Sequence, residues 1–172
     1  DSLSADMYDF VKARYDTDPD SDDWESTRDA LYEEYQLGGR AGYAYAKPFD
    51  AAINFGASMV SLFYGEGDLK RTIQIGSLAG WDSDNPTATW AGLLGFLLGR
   101  RGVEEAFGDD ISETYWISRT RRNFPDRTPD LEGEDTFPMM AERALAIIDG
   151  VVRDQMDGQF NRDVWIIPDS RR

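Results

Sequence analysis

The stretch G-W-D-S-D-N-P-T-A-T-W-A-G-L-L-G-F-L-L-G, Gly80 to Gly99, decides how this chain is read. It opens with carboxylates at i and i+2, Asp82 and Asp84, followed by Asn85 and Pro86. Asn is a favoured N-cap and Pro a favoured first helical residue, so a helix is predicted from Pro86 with Asn85 as its cap. The two aspartates then sit on a tight loop before that helix. Their spacing lets both side chains turn to one point, as a hard cation with oxygen ligands requires, and Asn85 offers a neutral carbonyl oxygen. Taken alone, D-S-D-N reads as an Asx-rich turn whose carboxylates accept from backbone N–H groups. The helix beyond it weighs against that reading. Ala88, Ala91, Gly92, Gly95 and Gly99 recur at three- and four-residue spacings, and Leu93, Phe96 and Leu97 cover another side. Each interior Gly costs roughly 1 kcal/mol against Ala. Three of them imply that another backbone approaches closely, so this helix is expected to be central. On that reading Gly95→Leu overpacks. The apolar run ends at Arg100 and Arg101 and is too short to span a bilayer.

The chain has 172 residues, enough for one domain with a real core. Its formal net charge is −15, which disfavours nucleic acid and anionic membrane as partners. It contains no Cys and no His. That removes thiolate chemistry, disulfides, imidazole acid–base catalysis and His metal sites. What remains for catalysis is carboxylates, hydroxyls, Lys, Arg or a metal held by oxygen. No signal peptide is read. The start at Asp1 is read as a processed product, as in a secreted protein, or an excised piece; the compartment stays open.

Helix patterns dominate the rest. Ser4 is expected to cap a first helix with Met7, Phe10, Val11 and Arg14 on one side. A second runs from Trp24 to Tyr35 with Trp24, Leu31 and Tyr35 inward. Between them Asp16 to Asp23 reads as a solvated acidic turn, because Ser21 and Thr27 stand where a calcium loop needs Gly and Glu. Gly38 to Pro48 is a Gly-rich loop. A helix from Asp50 to Tyr64 is apolar nearly all round, hence buried, and Gly65 is its expected stop. Asp68 caps a helix of Leu69 to Leu78, and Val103 to Phe107 forms a short amphipathic piece. Thr114 to Ser118 reads as a short strand, and the D-V-W-I-I-P tail as either a short strand or an apolar tail docked on the domain. Arg119, Arg121, Arg122 and Arg127 are assigned to pairing with the chain's carboxylates. The last helix runs from Phe137 to Gln155, with Met140, Ala144, Ile147, Ile148 and Val151 as core. The fold class is all-α, a multi-helix compact domain.

The motif G-W-D-S-D-N-x-x-A-T with G-L-L-G after it resembles the C-terminal metal motif of the ADP-ribosylglycohydrolase family, which includes crystallin J1-like proteins. The resemblance extends back through F-D-A-A-I-N-F-G and L-F-Y-G-E-G-D-L-K-R-T-I, and forward to D-T-F-P-M-M-A. It is most specific from Phe49 to Gly99. It implies an all-helical fold around a metal-lined cleft, with residues 1–172 as the C-terminal portion of one such domain. It implies two Mg²⁺ ions, with Asp82, Asp84 and Asn85 among their ligands and Trp81 and Ser83 facing the substrate. Asn85 stands where the family has Thr. The implied activity is hydrolysis of an N- or O-glycosidic bond of an ADP-ribose-like or other glycosyl substrate. Two alternatives are a crystallin-like structural or binding protein that keeps the fold, and a glycosidase acting on another sugar. Family members are longer. The remaining ligands and the catalytic carboxylate are therefore expected on the N-terminal half of the same precursor, as a second chain.

Overall fold

The computed structural model describes residues 2–17, 20–116, 134–161 and 164–169. It is mostly helical, with two small antiparallel ribbons among the described residues. The chain divides into two compact units, Asp1–Asp110 and Ile111–Arg172. Asp18, Pro19, Ile117, Ser118 and the four arginines from Arg119 to Arg127 lie outside the described residues.

The first unit is built round α3, Ala51–Gly65. Asp50 caps it, its side chain accepting from Ala52 N. Ten of its fifteen residues are buried, as an all-round apolar pattern demands. Three helices and the start of a fourth pack on it: α1 (Leu3–Thr17), α2 (Trp24–Leu31), α4 (Leu69–Leu78) and α5 (Asp84–Phe107). Met7 and Val11 of α1 and Leu31 of α2 are fully buried against Ile53, Ala57 and Val60. The cap of α1 is Ser2, not Ser4: Ser2 Oγ accepts from Ala5 N at 3.2 Å. The expected inward face of α1 is correct. Beyond α2 the chain widens into a π-helical turn, Tyr32–Leu37, which keeps Tyr35 buried. Its Gly38 N–H reaches back five residues to Glu33 O at 2.8 Å.

Two polar fastenings hold these helices. Thr27 Oγ1 and the Tyr64 hydroxyl share a buried hydrogen bond of 2.7 Å. Asp6 accepts from the Tyr35 hydroxyl and from Arg40 Nε at 2.9 Å and Nη2 at 3.2 Å. The Arg40 guanidinium also lies 4.8 Å from the Phe10 ring centre. Three carboxylates of the acidic turn have partners within this unit. Asp16 pairs with Lys12, Asp20 caps Asp22 N, and Asp22 pairs with Arg71 at 3.0 Å.

Glycine explains the path from α3 to α4. Gly65 is inside α3 rather than its stop; the stop is Glu66, in the left-handed region at φ 52°, followed by Gly67 at φ 80°. A Cβ on Gly65 would stand 2.1 Å from Thr72 Oγ1, so only Gly lets α4 come this near. Gly76 on α4 likewise faces Thr87 of α5 at 3.2 Å.

The expectation for α5 is corrected. It begins at Asp84, preceded by Ser83, and Asn85 is not its cap. Pro86 is its one buried residue. Gly99 (φ 66°, ψ 173°) breaks it into two limbs. Gly92 faces open space, and a Cβ on Gly95 would lie 3.6 Å from Val103 of the second limb. Eight helical residues span about 12 Å, so the second limb turns back on the first. The close backbone approaches are made by Gly65 and Gly76 instead, and the central helix is α3.

In the second unit β1 (Thr114–Trp116) pairs antiparallel with β2 (Glu134–Thr136), Thr114 opposite Thr136. The last helix, α6, is Phe137–Gln155, with Thr136 Oγ1 accepting from Met139 N. β3 (Gln159–Asn161) and β4 (Val164–Ile166) form a second ribbon, tied to α6 by Trp165 Nε1 donating to Asp149 at 2.6 Å. The expected core of α6 is corrected: Met140, Ala144, Ile147, Ile148 and Val151 are exposed, and Val152 is the buried residue. A unit of about 60 residues has too little chain to cover so long an apolar face.

Two outcomes follow for unfolding in urea. Gly65→Ala should cost about 1–3 kcal/mol by overpacking, whereas Gly92→Ala should be neutral or stabilise by up to about 1 kcal/mol through helix propensity. Equal effects would contradict the packing described. The Arg40 and Tyr35 hydrogen bonds hold the Asp6 carboxyl below its ordinary 3.8. A depressed carboxylate stabilises the fold above its unfolded value and loses that contribution as pH falls through the folded one. Stability should therefore decline below about pH 4, less steeply in Asp6→Asn; identical acid profiles would remove Asp6 from this role.

Candidate metal centre

The loop between α4 and α5 turns through two successive left-handed residues, Gly80 at φ 97° and Trp81 at φ 52°. A bulky non-Gly residue in that region is a genuine outlier that surrounding contacts must hold. Two contacts do so. Trp81 Nε1 donates to Gln36 Oε1 at 2.7 Å, tying the loop to the π-helical turn. Asp82 N donates to Asn54 Oδ1 at 3.0 Å, tying it to α3. Asn54 is 2% exposed. Its Nδ2 donates to Pro48 O at 2.7 Å and to Asp50 O at 2.9 Å, which fixes the amide so that its oxygen faces Asp82. Trp90 Nε1 adds a third tie, donating to Ser58 O of α3 at 2.8 Å.

On this frame the carboxyls of Asp82 and Asp84 meet. Donating its proton in a hydrogen bond to the Asp84 carboxylate holds the Asp82 carboxyl above the ordinary carboxylate range, with desolvation and the Asp84 charge adding to it. Two carboxylates turned to one point repel unless a proton or a cation lies between them. The structure thus brings together two of the three proposed ligands. Asn85 is exposed in the first turn of α5; its N–H donates to Asp82 O at 2.9 Å and its carbonyl accepts from Thr89 Oγ1 at 2.9 Å. Its side chain makes no hydrogen bond among the described residues. Ser83 precedes the helix without a side-chain cap, and its carbonyl accepts from Thr87 Oγ1 at 2.6 Å.

The donor chemistry suits a hard ion. Mg²⁺ is commonly bound through one or two carboxylates, with water and substrate oxygens completing the shell. No group of three or more Asp, Glu, His or Cys side chains able to hold a metal is present among the described residues. Beside the loop lies an open cleft of about 450 Å³, walled by Tyr32, Gln36, Tyr45, Pro48, Leu78 and Trp81. Asp82 and Asp84 stand outside its lining. Tyr43, the other tyrosine of the Gly-rich loop, is buried instead, and desolvation pushes its hydroxyl up to about 12.

Compared with protein-family models, with curated proteins and with solved structures, the chain matches none. No described helix is long and apolar enough to cross a membrane.

Sequence reasoning missed Asn54 and Gln36. Asn54 left a signal, being the lone amide in a helix otherwise apolar or small. Gln36 left none. Asn54→Ala strips the Asp82 N–H and the Pro48 carbonyl of their partner, while Asp50 O keeps the backbone N–H of residue 54, and each buried polar group left unsatisfied costs about 1–3 kcal/mol. We expect that loss in urea unfolding together with faster amide exchange at Asp82. Unchanged exchange at Asp82 would show that the loop is held by something else.

Proposed function

We propose that this chain carries the acidic metal loop of a glycohydrolase resembling the ADP-ribosylglycohydrolases. Its substrate class is an ADP-ribose-like or other glycosyl compound with an N- or O-glycosidic bond. The observation supporting this reading is the meeting of the Asp82 and Asp84 carboxyls on a loop fixed from α3 by Asn54. Asp82 and Asp84 would hold a divalent ion such as Mg²⁺, with Asn85 positioned to add a carbonyl oxygen. A bound ion of this kind neutralises charge, orients hydroxyl or phosphate oxygens and lowers the pKa of a water.

The chain's own residues supply the rest of the argument. With a net charge of −15, an anionic substrate needs a local cation, and the carboxylate pair is where one would be recruited. Trp81 sets one wall of the adjoining cleft, an apolar face suited to a sugar or a base. Further ligands and the catalytic carboxylate are assigned to a companion polypeptide, the N-terminal half of the same precursor. The all-helical family fold belongs to this proposal as well.

Calorimetry with Mg²⁺ and Mn²⁺ tests it. Wild type should bind saturably, and Asp84→Ala should bind at least about ten-fold more weakly, a difference of about 1.4 kcal/mol. Equal binding by the two proteins would sink the metal assignment. Turnover of ADP-ribosylated peptide, O-acetyl-ADP-ribose or simple glycosides by the complete assembly then identifies the bond. Metal binding without turnover of any would favour the non-catalytic crystallin-like reading.

A further inference from the structure

We infer that the cleft beside the Gly80–Trp81 turn is a subsite for one uncharged sugar ring. It deepens the glycohydrolase proposal, on which the sugar's role as substrate rests. Three segments wall the cleft: the end of α2 with its π-helical turn, which brings Arg28, Asp29, Tyr32 and Gln36, the Gly-rich loop with Tyr45, and the turn after α4 with Trp81. Tyr45 and Trp81 are half-buried and rest on the core, and Tyr32 is 39% exposed. None of the three rings pairs with another aromatic ring among the described residues. Trp81 Nε1 is already bonded to Gln36 Oε1, so what the indole offers a ligand is its face. An indole N–H only donates, so the bonded atom is the amide oxygen and Gln36 Nε2 keeps both protons. That Nε2 and the hydroxyls of Tyr32 and Tyr45 have no hydrogen-bond partner among the described residues.

The lining selects the ligand's charge. Among the described residues its charged side chains are Arg28 and Asp29, and they are spent on each other: Arg28 Nε and Nη2 reach Asp29 Oδ1 at 2.8 and 2.7 Å. An exposed pair of this kind adds little stability, but it cancels the local field that an ionic ligand needs. No uncompensated cation is left for a phosphate, in a chain of net charge −15, and no uncompensated carboxylate for an ammonium. The occupant is therefore neutral. Aromatic walls with a few polar groups then set its chemistry. A sugar ring lays its C–H groups on an aromatic face, whose negative quadrupole attracts the polarised hydrogens. It also carries hydroxyls round its whole rim, each able to donate and accept. The cleft answers with polar groups on separate segments, Tyr32 and Gln36 on the π-helical turn and Tyr45 on the loop. A nucleobase presents its hydrogen-bonding atoms only on edges in one plane. Trp81 is fixed before any ligand arrives, by Gln36 and through Asp82 N on Asn54. Binding on that wall therefore costs little ordering.

NMR titration of the full chain in EDTA reads this out, with the methyl pyranosides of glucose, galactose, mannose and N-acetylglucosamine as probes. We expect at least one to bind with a Kd of about 0.1–10 mM and to shift the Trp81 indole N–H signal. Tyr32→Ala, at a side chain already partly in solvent, should weaken that binding at least about five-fold. The same variant should bind Mg²⁺ as wild type does, which separates failure of the subsite from failure of the metal centre. Adenosine and ADP-ribose, titrated likewise, should bind at least about five-fold more weakly than the best glycoside. No shift with any glycoside, a Kd that Tyr32→Ala leaves unchanged, or tighter binding of adenosine than of every glycoside would overturn the inference. Sugar binding by a chain that takes up no Mg²⁺ would keep the subsite and remove the metal reading. Should Tyr32→Ala fail to fold, Tyr32→Phe, which removes only the hydroxyl, decides by the same comparison.

Discussion

One buried amide sets the geometry of the first unit. Asn54 is enclosed in the most buried helix, where each polar atom must find a partner. It spends its two protons on the carbonyls of Pro48 and Asp50, and its oxygen on the N–H of Asp82. The entry to α3, α3 itself and the loop between α4 and α5 are therefore one hydrogen-bonded body. The left-handed conformation of Trp81 is tolerated because this anchor, with Gln36, leaves the loop little alternative. The facing of Asp82 and Asp84 is a consequence of that fixed loop.

The second constraint is how near the helices approach. Gly65 places α4 against α3 at a distance that any side chain would forbid, and Gly76 lets α5 approach α4 more tightly than a side chain normally allows. These contacts carry the loop into register with Asn54. Core packing and site geometry are thus determined by the same few positions.

Much of this was legible in the residues, and the misses have physical reasons. The start of α6 is chemically marked, with Thr136 capping it and Pro138 in its first turn. The apolar spacing of Met140, Ile147 and Ile148 was read as burial, but periodicity reports that a face is apolar, not that this chain supplies its cover. The same holds for the glycines of α5. A stripe of small residues indicates possible close approach, and the sequence does not say to what. Gly65 was read as a stop because a helix-terminal Gly usually is one; its role depends on Thr72, seven residues on, which no local rule connects to it. In the site, D-S-D was informative because short spacing alone can bring two carboxyls together. The Asn54 anchor joins residues 28 apart, a separation at which pattern carries no register.

The central claim is that the Asp82–Asp84 carboxyl pair is a cation site built by the fold. A crystal of the protein soaked in Mn²⁺ and measured at the manganese edge tests it directly. The account requires an anomalous peak within about 2.0–2.6 Å of oxygens from both side chains. Anomalous density elsewhere only, with the two carboxyls still hydrogen-bonded to each other, would contradict it.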